Sequence, residues 1–468
     1  MFFKGIAKIF KRVYFKTLTN VKIFFNLSGW FRIHQVKKEV GKMEQLLILL
    51  DRGDLKEVDV DKYQKEKLVR ILRYTNKHCS YYQELFKKYN LDLTNSVDFK
   101  DLPLLDKSVI ASNKDDIISD EANRMKFYNF NTGGSTGDPM TFYRSDDSGL
   151  VDNIHHRFLY NLMGYKVGDK IFSIGGGHFF ISEDNKKNNV YWTKTNSNDF
   201  PFGSLFYSSI ALNKKTVSYY VDHLFSAQPE FLRGYASAIS DLADYIIDNN
   251  IVVSWPLKGV YLAGEQVYPW QIEKISNAFK TRVFSNYGHS EVSVWAYSLD
   301  QSSKYVCSPF YGLVEILDQV TGQPVSVGET GEIVVTGFYN FIFPFIRYRT
   351  NDLAVYAGKK NGAVVFDKLI GRTQDFVYNK DGEKIDLMAI FDIHPKFFKH
   401  IVRWQVIQNS LGKLLVKIVK KDNFSELDEK EIKNLFVGLC GISPDLEYVD
   451  LIPLTKRGKL PFLIQNIK

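Results

Sequence analysis

The sequence predicts an α/β protein in which a large N-terminal domain with mixed, mostly parallel sheets precedes a small α+β domain. Two observations lead to this prediction. Between residues 147 and 345, short apolar runs alternate with helical stretches, which is the pattern of a mostly parallel sheet covered by helices. Near residue 370 this pattern gives way to two strand-like runs and a Glu/Lys-rich helix. We therefore expect an N-terminal segment 1–45, a large domain 46–370 and a small domain 371–468.

Residues 1–45 carry the whole formal charge of +8, since the rest of the chain has 51 basic and 51 acidic residues. At about 100° per residue, the bulky apolar side chains of residues 2–24 share one arc and the lysines occupy the opposite one. Such a basic amphipathic helix is the type that lies in an anionic membrane interface. The alternative is an ordinary helix that packs on the protein body and leaves its lysines in water.

The next segment, residues 46–125, is expected to be largely helical. Residues 127–130 and 140–143 are β-prone and flank a glycine-rich stretch, so residues 127–145 are predicted as strand, loop and strand. Residues 333–346 are the longest apolar run. Glycine, asparagine and proline interrupt it before it reaches the ~20 residues that a membrane span needs, so it is interpreted as a buried strand and turn.

Further elements follow from apolar periodicity. We expect buried strands at residues 171–174 and 259–262, helices at 237–249 and 268–279, strands at 401–408 and 413–420, and a helix at 425–438.

Composition excludes several classes of protein. The body outside residues 1–45 is electrically neutral, which argues against a nucleic-acid binder with one broad basic face. The three cysteines are odd in number and widely spaced, so they form neither a disulfide framework nor a zinc signature. Lysines interrupt every apolar stretch near the N-terminus that could serve as a secretory signal. We expect a cytoplasmic protein with peripheral contact at the inner face of the membrane.

The glycine-rich loop between the two β-prone stretches is the most informative segment. It reads Thr132, Gly133, Gly134, Ser135, Thr136, Gly137, Asp138 and Pro139. Glycines let backbone N–H groups converge on an anion, and hydroxyl groups add donors for phosphate oxygens. No Gly-Lys-Ser/Thr follows, so this is not a Walker-type loop. A surface hairpin that merely needs glycines is the alternative.

Other segments support a nucleotide site. Tyr287 and Glu291 follow a β-prone stretch, and they could stack on a base and bind a metal ion that bridges phosphates. Asp352 follows a basic stretch, and one carboxylate can accept both ribose hydroxyl protons. Lys459 follows Gly458 near the C-terminus, where it is a mobile charge that can reach an anion.

In order and spacing, these motifs resemble those of the adenylate-forming superfamily, the acyl-CoA synthetase and adenylation-domain enzymes. Within it the chain is most similar to the phenylacetate–CoA ligase branch and its CapK-like capsular polysaccharide members. The resemblance covers roughly residues 100–468. It is carried by the loop 132–139, by Gly264-Glu265, by Tyr287-Gly288 with Ser290-Glu291, by Tyr348-Arg349-Thr350 with Asp352, by Gly371-Arg372 and by Gly458-Lys459.

The resemblance implies a two-step reaction. A carboxylate attacks the α-phosphate of ATP to give an acyl-adenylate and pyrophosphate, and an acceptor such as CoA, an amine or a hydroxyl group then takes the acyl group. The small domain is expected to be a mobile lid that rotates at a hinge beside Arg372. The implied catalytic residues are Lys459, Glu291 and Thr136, with Glu291 binding Mg²⁺. The implied nucleotide-binding residues are Thr132, Gly133, Gly134, Ser135, Thr136, Gly137, Gly264, Glu265, Tyr287, Gly288, Ser290, Asp352 and Arg372.

The sequence departs from the family pattern at three positions. Met140 stands where a lysine often follows the loop proline, Gln374 where an aspartate is common after the hinge arginine, and Asn351 where glycine is usual in the ribose motif. None of these departures removes an essential group. Glu265 has a second interpretation as the cap of the helix that begins near Pro269, and Trp295 is expected to approach the site.

Three functions are compatible with this pattern. The first is a ligase that uses ATP, Mg²⁺ and potentially CoA to activate a small carboxylic acid, with a surface-glycan precursor as another potential acceptor. The second is an adenylyltransferase that moves AMP onto a coenzyme. The third is an inactive, membrane-associated scaffold, which Met140 and Gln374 favour and the retained Glu291, Asp352 and Lys459 oppose.

Overall fold

The computed structural model describes residues 27–93, 99–131, 140–176, 181–298, 302–372, 376–386 and 398–467, and the description below concerns those residues. The helices are α1 Leu27–Arg52, α2 Glu57–His78, α3 Ser80–Lys88, α4 Lys107–Ser112, α5 Lys114–Ile117, α6 Asp146–Leu162, α7 Glu183–Lys187, α8 Val217–Ala227, α9 Ala236–Asp248, α10 Pro269–Phe279 and α11 Glu426–Cys440, with a short 3₁₀ helix at Ala122–Arg124.

The strands of the large N-terminal part are β1 Phe127–Asn131, β2 Thr141–Ser145, β3 Ile171–Gly175, β4 Trp192–Asp199, β5 Gly203–Ser208, β6 Phe231–Gly234, β7 Gly259–Leu262, β8 Val283–Gly288, β9 Trp295–Ser298, β10 Tyr305–Cys307, β11 Gly312–Leu317, β12 Thr330–Gly337, β13 Tyr348–Lys360 and β14 Ala363–Arg372. They are followed by β15 Phe376–Tyr378, β16 Lys384–Asp386, β17 Ile401–Ser410, β18 Lys413–Lys420, β19 Asp445–Tyr448 and β20 Leu463–Gln465.

One long sheet forms the centre of the large part. Its strand order is β11-β12-β13-β14-β10-β9-β8-β7-β6-β3-β5-β4. Parallel pairing joins five consecutive strands of this order: β8, β7, β6, β3 and β5. All other pairings in the sheet are antiparallel. The predicted mixed α/β fold is confirmed, but the expectation of a mostly parallel sheet is wrong. Among the described strands, four pairings, in one stretch of the sheet, are parallel and the other seven are antiparallel.

The parallel strands are buried on both faces, which explains their nearly continuous apolar sequences. Leu232 of β6 and Val260 of β7 pack against α8, α9 and α10 on one face. Phe231 and Tyr261 belong to the core on the other face, which includes Phe158 of α6. Because neighbouring residues on a strand point to opposite faces, each short strand contributes to two cores.

The C-terminal strands form a second, smaller sheet with its own core. The order is β19-β18-β17-β20, in which β17 and β18 are antiparallel and the outer strands pair in parallel. The helix α11 covers this sheet, with Phe436 packed near Trp404 and Val416 in one core cluster. Its N-terminus is capped by Ser425, whose N–H donates to Asp428 at 2.8 Å, and it ends at Gly441, which has a φ of 65°.

Ion pairs join this C-terminal unit to the acidic face of α9. The guanidinium of Arg403 on β17 binds the carboxylate of Asp241, with Nε donating at 2.9 Å. Lys421 lies 3.3 Å from Asp244 and 2.8 Å from Asp248. Asp241, Asp244 and Asp248 are three, four or seven residues apart, so they share one side of the helix.

The predicted strands and helices match the structure closely. Residues 171–174 and 259–262 fall on β3 and β7, the helix expected at 237–249 is α9, and that at 425–438 is α11. The buried strand and turn expected at 333–346 is β12 followed by a buried turn. The domain boundary expected after residue 370 stays a prediction.

Residues 2–24, which carry the predicted amphipathic pattern, lie outside the described residues. Among the described helices, none is both long enough and apolar enough to cross a membrane.

Candidate active site

The carboxyl ends of the parallel strands border a cavity of about 740 Å³ between the large sheet and the C-terminal unit. Loops at these ends are where ligands bind in open α/β sheets. The structure brings most of the predicted site residues together there. The cavity is lined by Gly264, Glu265, Tyr287, Gly288, Ser290, Glu291, Asp352 and Lys459, and also by Gly371 and Trp295.

The remaining predicted residues are not placed by the structure. Thr132, Gly133, Gly134, Ser135, Thr136 and Gly137 lie outside the described residues, as do Gln374 and the side chain of Arg372. The strands that flank the loop are described, and Asn131 at the end of β1 accepts a hydrogen bond from the guanidinium of Arg457 at 2.6 Å. The loop therefore departs from a residue that contacts the segment carrying Lys459.

Tyr287 and Asp352 form one wall of the cavity. Tyr287 lies on β8 and Asp352 on β13, and the phenol hydroxyl donates to Asp352 Oδ2 at 2.8 Å. Burial, with the neighbouring carboxylate, raises the pKa of Tyr287 well above its usual value of 10, so the hydroxyl stays a donor. Asn351 has a φ of 61°. Asparagine tolerates this left-handed conformation better than most residues, which explains why the departure from glycine is mild.

Glu291 is a buried carboxylate, with 5% of its surface exposed, on the loop after β8. The Nδ1 atom of His289 is 3.1 Å from Oε2, and the Tyr348 hydroxyl donates to Oε1 at 3.2 Å. Burial alone would raise the pKa of Glu291, but His289 and these hydrogen bonds outweigh it and lower the pKa to about 2. The side chain is therefore a carboxylate at neutral pH.

Strained backbone flanks this carboxylate. Val292, next to Glu291, has a φ of 56°, and Arg347, next to Tyr348, has a φ of 48°. A left-handed conformation is costly for a β-branched residue, and it persists only where surrounding contacts impose it. Arg347 supplies such contacts, since its guanidinium donates to the Leu102 carbonyl at 2.6 Å and pairs with Glu315 at 3.1 Å.

Lys459 lies on a tight turn of the C-terminal unit. The Gly458 N–H donates to the Thr455 carbonyl at 2.7 Å, and the Thr455 N–H donates back to the Lys459 carbonyl at 2.9 Å. Gly458 has a φ of 73°, which this turn requires and which glycine adopts without strain. The Lys459 ammonium is 5.7 Å from the centre of the Tyr235 ring and borders the cavity beside Gly264.

Four contacts hold this turn against the large part. The Ser209 hydroxyl donates to the Gly458 carbonyl at 2.9 Å, and the Tyr235 hydroxyl donates to the Arg457 carbonyl at 3.0 Å. The backbones of Gly176 and Gly458 pack together so closely that a β-carbon on Gly458 would lie 2.6 Å from the Gly176 Cα. The Leu460 N–H donates to Glu265 at 3.1 Å.

Glu265 does not cap the helix that begins at Pro269, so that interpretation is wrong. Gln271 occupies that position and accepts the Tyr268 N–H at 3.0 Å. Glu265 caps α9 instead, accepting from both the N–H and the hydroxyl of Ser237 at 3.0 Å. A carboxylate is favoured at a helix N-terminus, where backbone N–H groups point outward.

The deep end of the cavity contains residues that the motifs did not reveal. Asp152 accepts hydrogen bonds from Tyr311 at 2.9 Å and from Arg144 at 3.3 Å. His156 contacts the Tyr261 hydroxyl at 2.6 Å, and Arg233 also borders this region. The sequence carried one signal for it, because Arg233 is a charged residue in the apolar strand β6, which is buried on both faces.

The described residues contain no cluster of three or more His, Cys, Asp or Glu side chains that could hold a metal ion by themselves. Mg²⁺, however, is commonly bound by one or two carboxylates together with substrate phosphates. Glu291 fits that role, because it is ionised, borders the cavity and has lone pairs beyond the hydrogen bonds it accepts from Tyr348 and Ser290.

Comparisons with known proteins find similar chains. The family described as "CapK C-terminal domain" matches residues 377–466. Protein CapK of Staphylococcus aureus is 27% identical to this chain over 427 residues, which span 88% of this chain and 90% of that protein.

Solved structures show the same fold. A 2-hydroxyisobutyryl-CoA ligase in the postadenylation state, in complex with 2-HIB-AMP, has a TM-score of 0.67 at 17% identity, covering 86% of this chain and 89% of its own. The same ligase with 2-HIB-AMP and CoA in the thioesterification state has a TM-score of 0.55 at 17% identity, covering 87% and 90%. The expected adenylate-forming fold and the resemblance to CapK-like proteins are thereby confirmed.

Proposed function

We propose that this chain, which has the fold of adenylate-forming CoA ligases and a C-terminal segment matching the CapK C-terminal domain, activates a carboxylic acid with ATP. In the proposed reaction a carboxylate oxygen bonds to the α-phosphorus of ATP. The bond between the α-phosphorus and the oxygen that it shares with the β-phosphate breaks. Pyrophosphate leaves with the electron pair of that bond. The acyl-adenylate then transfers its acyl group to CoA or to an amine or hydroxyl acceptor, with release of AMP.

The observation that carries this proposal is the position of Lys459 in the same cavity as Tyr287, Glu291 and Asp352. The reaction joins two anions, a carboxylate and a phosphate, which repel each other. An ammonium group between them offsets that repulsion most strongly in the transition state, when charge develops on the phosphate. Lys459 is the cation that we assign to this task.

The nucleotide is proposed to lie between β8 and β13. The Tyr287 ring would stack on adenine, and Asp352 would accept ribose hydroxyl protons. The loop 132–139 is proposed to bind the β- and γ-phosphates through Ser135, Thr136 and its backbone amides. Glu291 would hold Mg²⁺, which neutralises the charge of the departing pyrophosphate when it is bound.

In the structure, the turn that carries Lys459 packs against the large part. We propose that this is the arrangement in which the acid is adenylated. Structural similarity is higher to the postadenylation state of the 2-hydroxyisobutyryl-CoA ligase, at a TM-score of 0.67, than to its thioesterification state, at 0.55. We propose that the C-terminal unit 371–468 rotates at a hinge beside Arg372 after pyrophosphate leaves. This rotation withdraws Lys459 and lets the acceptor reach the adenylate.

The cellular setting is a separate proposal. From the resemblance of its motifs to those of CapK-like capsular polysaccharide proteins, we propose a phenylacetate–CoA ligase-like enzyme of surface-polysaccharide biosynthesis whose acceptor is a glycan precursor. The basic, aromatic-rich residues 1–45 would keep the enzyme at the cytoplasmic face of the membrane. Deleting them should abolish sedimentation with vesicles of anionic lipid, and unchanged sedimentation would exclude this role.

The test of the ligase activity uses the purified full chain, Mg·ATP and a panel of carboxylic acids, with pyrophosphate release and hydroxamate trapping as readouts. Lys459→Ala should lower acid-dependent pyrophosphate release by about 10²–10³, while calorimetry still shows Mg·ATP binding. Lys430→Ala removes an exposed lysine of α11 and is the matched control.

Three results would contradict the proposal. Unchanged turnover in Lys459→Ala would exclude the assigned mechanism. Pyrophosphate release without hydroxamate trapping would favour AMP transfer to a coenzyme. Failure of the wild-type chain to bind Mg·ATP would favour the scaffold.

A further inference from the structure

The deep end of the cavity holds a guanidinium group that no described carboxylate neutralises. Arg233 lies on β6, opposite Ser173 of β3 and Tyr261 of β7 in the register of the parallel sheet. The three side chains therefore share the face that packs toward α6. The Arg233 side chain makes no hydrogen bond or ion pair with any residue in the described part of the chain, and its Nε atom is buried.

Two aromatic rings hold the guanidinium group in place. Its central carbon is 4.4 Å from the centre of the Phe202 ring and 5.4 Å from that of Tyr261. In such cation–π contacts the aromatic rings pack against the plane of the guanidinium group, and its N–H groups remain able to donate hydrogen bonds. Arg233 is thus positioned by its neighbours and retains unused hydrogen-bond donors.

The other ionisable groups at this end of the cavity do not supply a counter-charge. Asp152 is already engaged by Arg144 at 3.3 Å and by the Tyr311 hydroxyl at 2.9 Å. Burial, with the two guanidinium groups nearby, lowers the pKa of His156 to about 4, so its ring is neutral at pH 7. The arginines and Asp152 therefore leave one positive charge in excess.

A second donor lies in the same cavity. Trp295 is buried and borders the cavity, and its indole N–H has no acceptor among the described residues. Buried N–H groups without a partner are rare because each costs the free energy of a lost hydrogen bond. Two such donors, one of them charged, match a ligand rich in acceptor oxygens.

Arg233 and Lys459 line the same cavity, and Tyr235 follows Arg233 by two residues. The centre of the Tyr235 ring is 5.7 Å from the Lys459 ammonium, and the Tyr235 hydroxyl donates to the Arg457 carbonyl at 3.0 Å. An acid whose reacting carboxylate meets Lys459 would extend from there toward α6 and Arg233. Its far end would meet a charged, planar donor that matches a carboxylate.

We infer that the activated acid carries a second anionic group, and that Arg233 with Trp295 binds it. The substrate class is a dicarboxylic acid, of which one carboxylate becomes the acyl-adenylate and the other pairs with Arg233. This inference rests on the proposed function, since that function places the reacting carboxylate at Lys459.

The experiment compares acids that differ only in the second carboxylate. Malonic, succinic, glutaric and adipic acids are each paired with the monocarboxylic acid of the same carbon number. Pyrophosphate release gives kcat/KM for each acid, and calorimetry in the presence of Mg·ATP gives its affinity. The variants are Arg233→Met and, as the control, Arg282→Met, which removes an exposed arginine that does not border the cavity.

The wild-type chain should prefer one diacid to its monocarboxylic partner by about tenfold to a hundredfold, which is the range expected from a hydrogen bond to a charged group. Arg233→Met should lower that ratio by a similar factor, and Arg282→Met should not change it. Equal losses for both members of a pair in Arg233→Met would overturn the inference, as would a wild-type preference for monocarboxylic acids throughout.

The binding measurement separates this inference from the proposed function. If a diacid binds the wild-type chain but not Arg233→Met, and no acid releases pyrophosphate, then the anion site stands and the ligase activity fails. If acids release pyrophosphate and no diacid binds better than its partner, then the ligase activity stands and the anion site fails.

Discussion

Gly176 and Gly458 lie backbone against backbone, one at the end of β3 and the other in the turn that presents Lys459. A β-carbon on Gly176 would overlap the Arg457 carbonyl, and one on Gly458 would also collide with the Ser209 hydroxyl. The absence of two side chains therefore sets how deeply the lysine enters the cavity.

Substituting Gly176 tests this docking. Gly176 does not have a positive φ, so Gly176→Ala should fold normally but collide with Arg457 when the turn docks. We expect acid-dependent pyrophosphate release to fall by at least about tenfold, because a small misplacement of a catalytic group costs up to 10²-fold in rate. Thermal unfolding should change little.

The control is Gly149→Ala on α6, where an added methyl group meets no atom within 4 Å. Alanine there should leave activity unchanged and stabilise the helix by up to about 1 kcal/mol. Equal activities of Gly176→Ala and Gly149→Ala would show that the observed docking is not needed for the reaction.

The bond from Tyr287 to Asp352 predicts a graded effect on ATP binding. Tyr287→Phe removes the 2.8 Å hydrogen bond but keeps the ring, so the KM for ATP should rise by up to about tenfold. Tyr287→Ala also removes the stacking surface, which is worth about 1–3 kcal/mol for a base on an aromatic ring, and should weaken ATP further. Tyr219→Phe, at a half-exposed ring outside the cavity, is the control. Equal KM values for Phe and Ala at position 287 would exclude stacking on adenine.

The buried pair of Arg403 and Asp241 predicts a stability effect that depends on which partner is removed. Arg403→Met leaves a buried carboxylate without its cation and should lower the free energy of unfolding by about 3–5 kcal/mol. The double variant Asp241→Leu with Arg403→Met should recover most of that loss, because no charge remains buried.

Lys421→Met offers the comparison within the same interface. Its pair with Asp248 is partly exposed and should contribute about 0.2–1 kcal/mol, and its longer pair with Asp244 adds to this, so the total loss should stay below that of Arg403→Met. Denaturant unfolding of the four proteins measures these differences. A double variant as unstable as Arg403→Met would show that the lost packing of the arginine, rather than its charge, is responsible.

The low pKa of Glu291 predicts how acid weakens the protein. The folded pKa of about 2 lies below the ordinary value of 4.5, so the ionised carboxylate contributes stability that is fully present above pH 4.5. That contribution is lost as pH falls from about 4.5 toward 2. Glu291→Gln should lower the free energy of unfolding by about 1–3 kcal/mol at pH 7, and the difference from wild type should shrink at pH 3. A difference that stays constant with pH would mean that Glu291 is not held ionised by its neighbours.

The motifs could be predicted from the sequence because each depends on local residue chemistry. Glycine and hydroxyl residues mark a turn, and a carboxylate after a strand marks the edge of a sheet, so Tyr287, Glu291, Asp352 and Lys459 were identified without coordinates. Their convergence on one cavity is what the structure adds. The same holds for β3, β7 and α9, whose apolar patterns are short-range.

Long-range partners could not be predicted because nothing near them in the sequence signals the contact. Gly176 meets Gly458, and Arg403 meets Asp241, across 282 and 162 positions of the chain. Glu265 was ambiguous for the same reason, since its real partner, Ser237, is 28 residues upstream, while Pro269 is four residues downstream. Distance along the sequence alone favours α10, which begins at Pro269, over α9.

Glu265 also joins the start of α9 to the turn that presents Lys459. Burial raises the pKa of its carboxyl, and hydrogen bonds from Ser237 and Leu460, with the nearby Lys459, oppose that rise. Ser237 belongs to the large part and Leu460 to the C-terminal unit, so one carboxylate accepts hydrogen bonds from both. Glu265→Gln removes the charge that both donors face, so it should weaken the capping of α9 and the docking of the turn together.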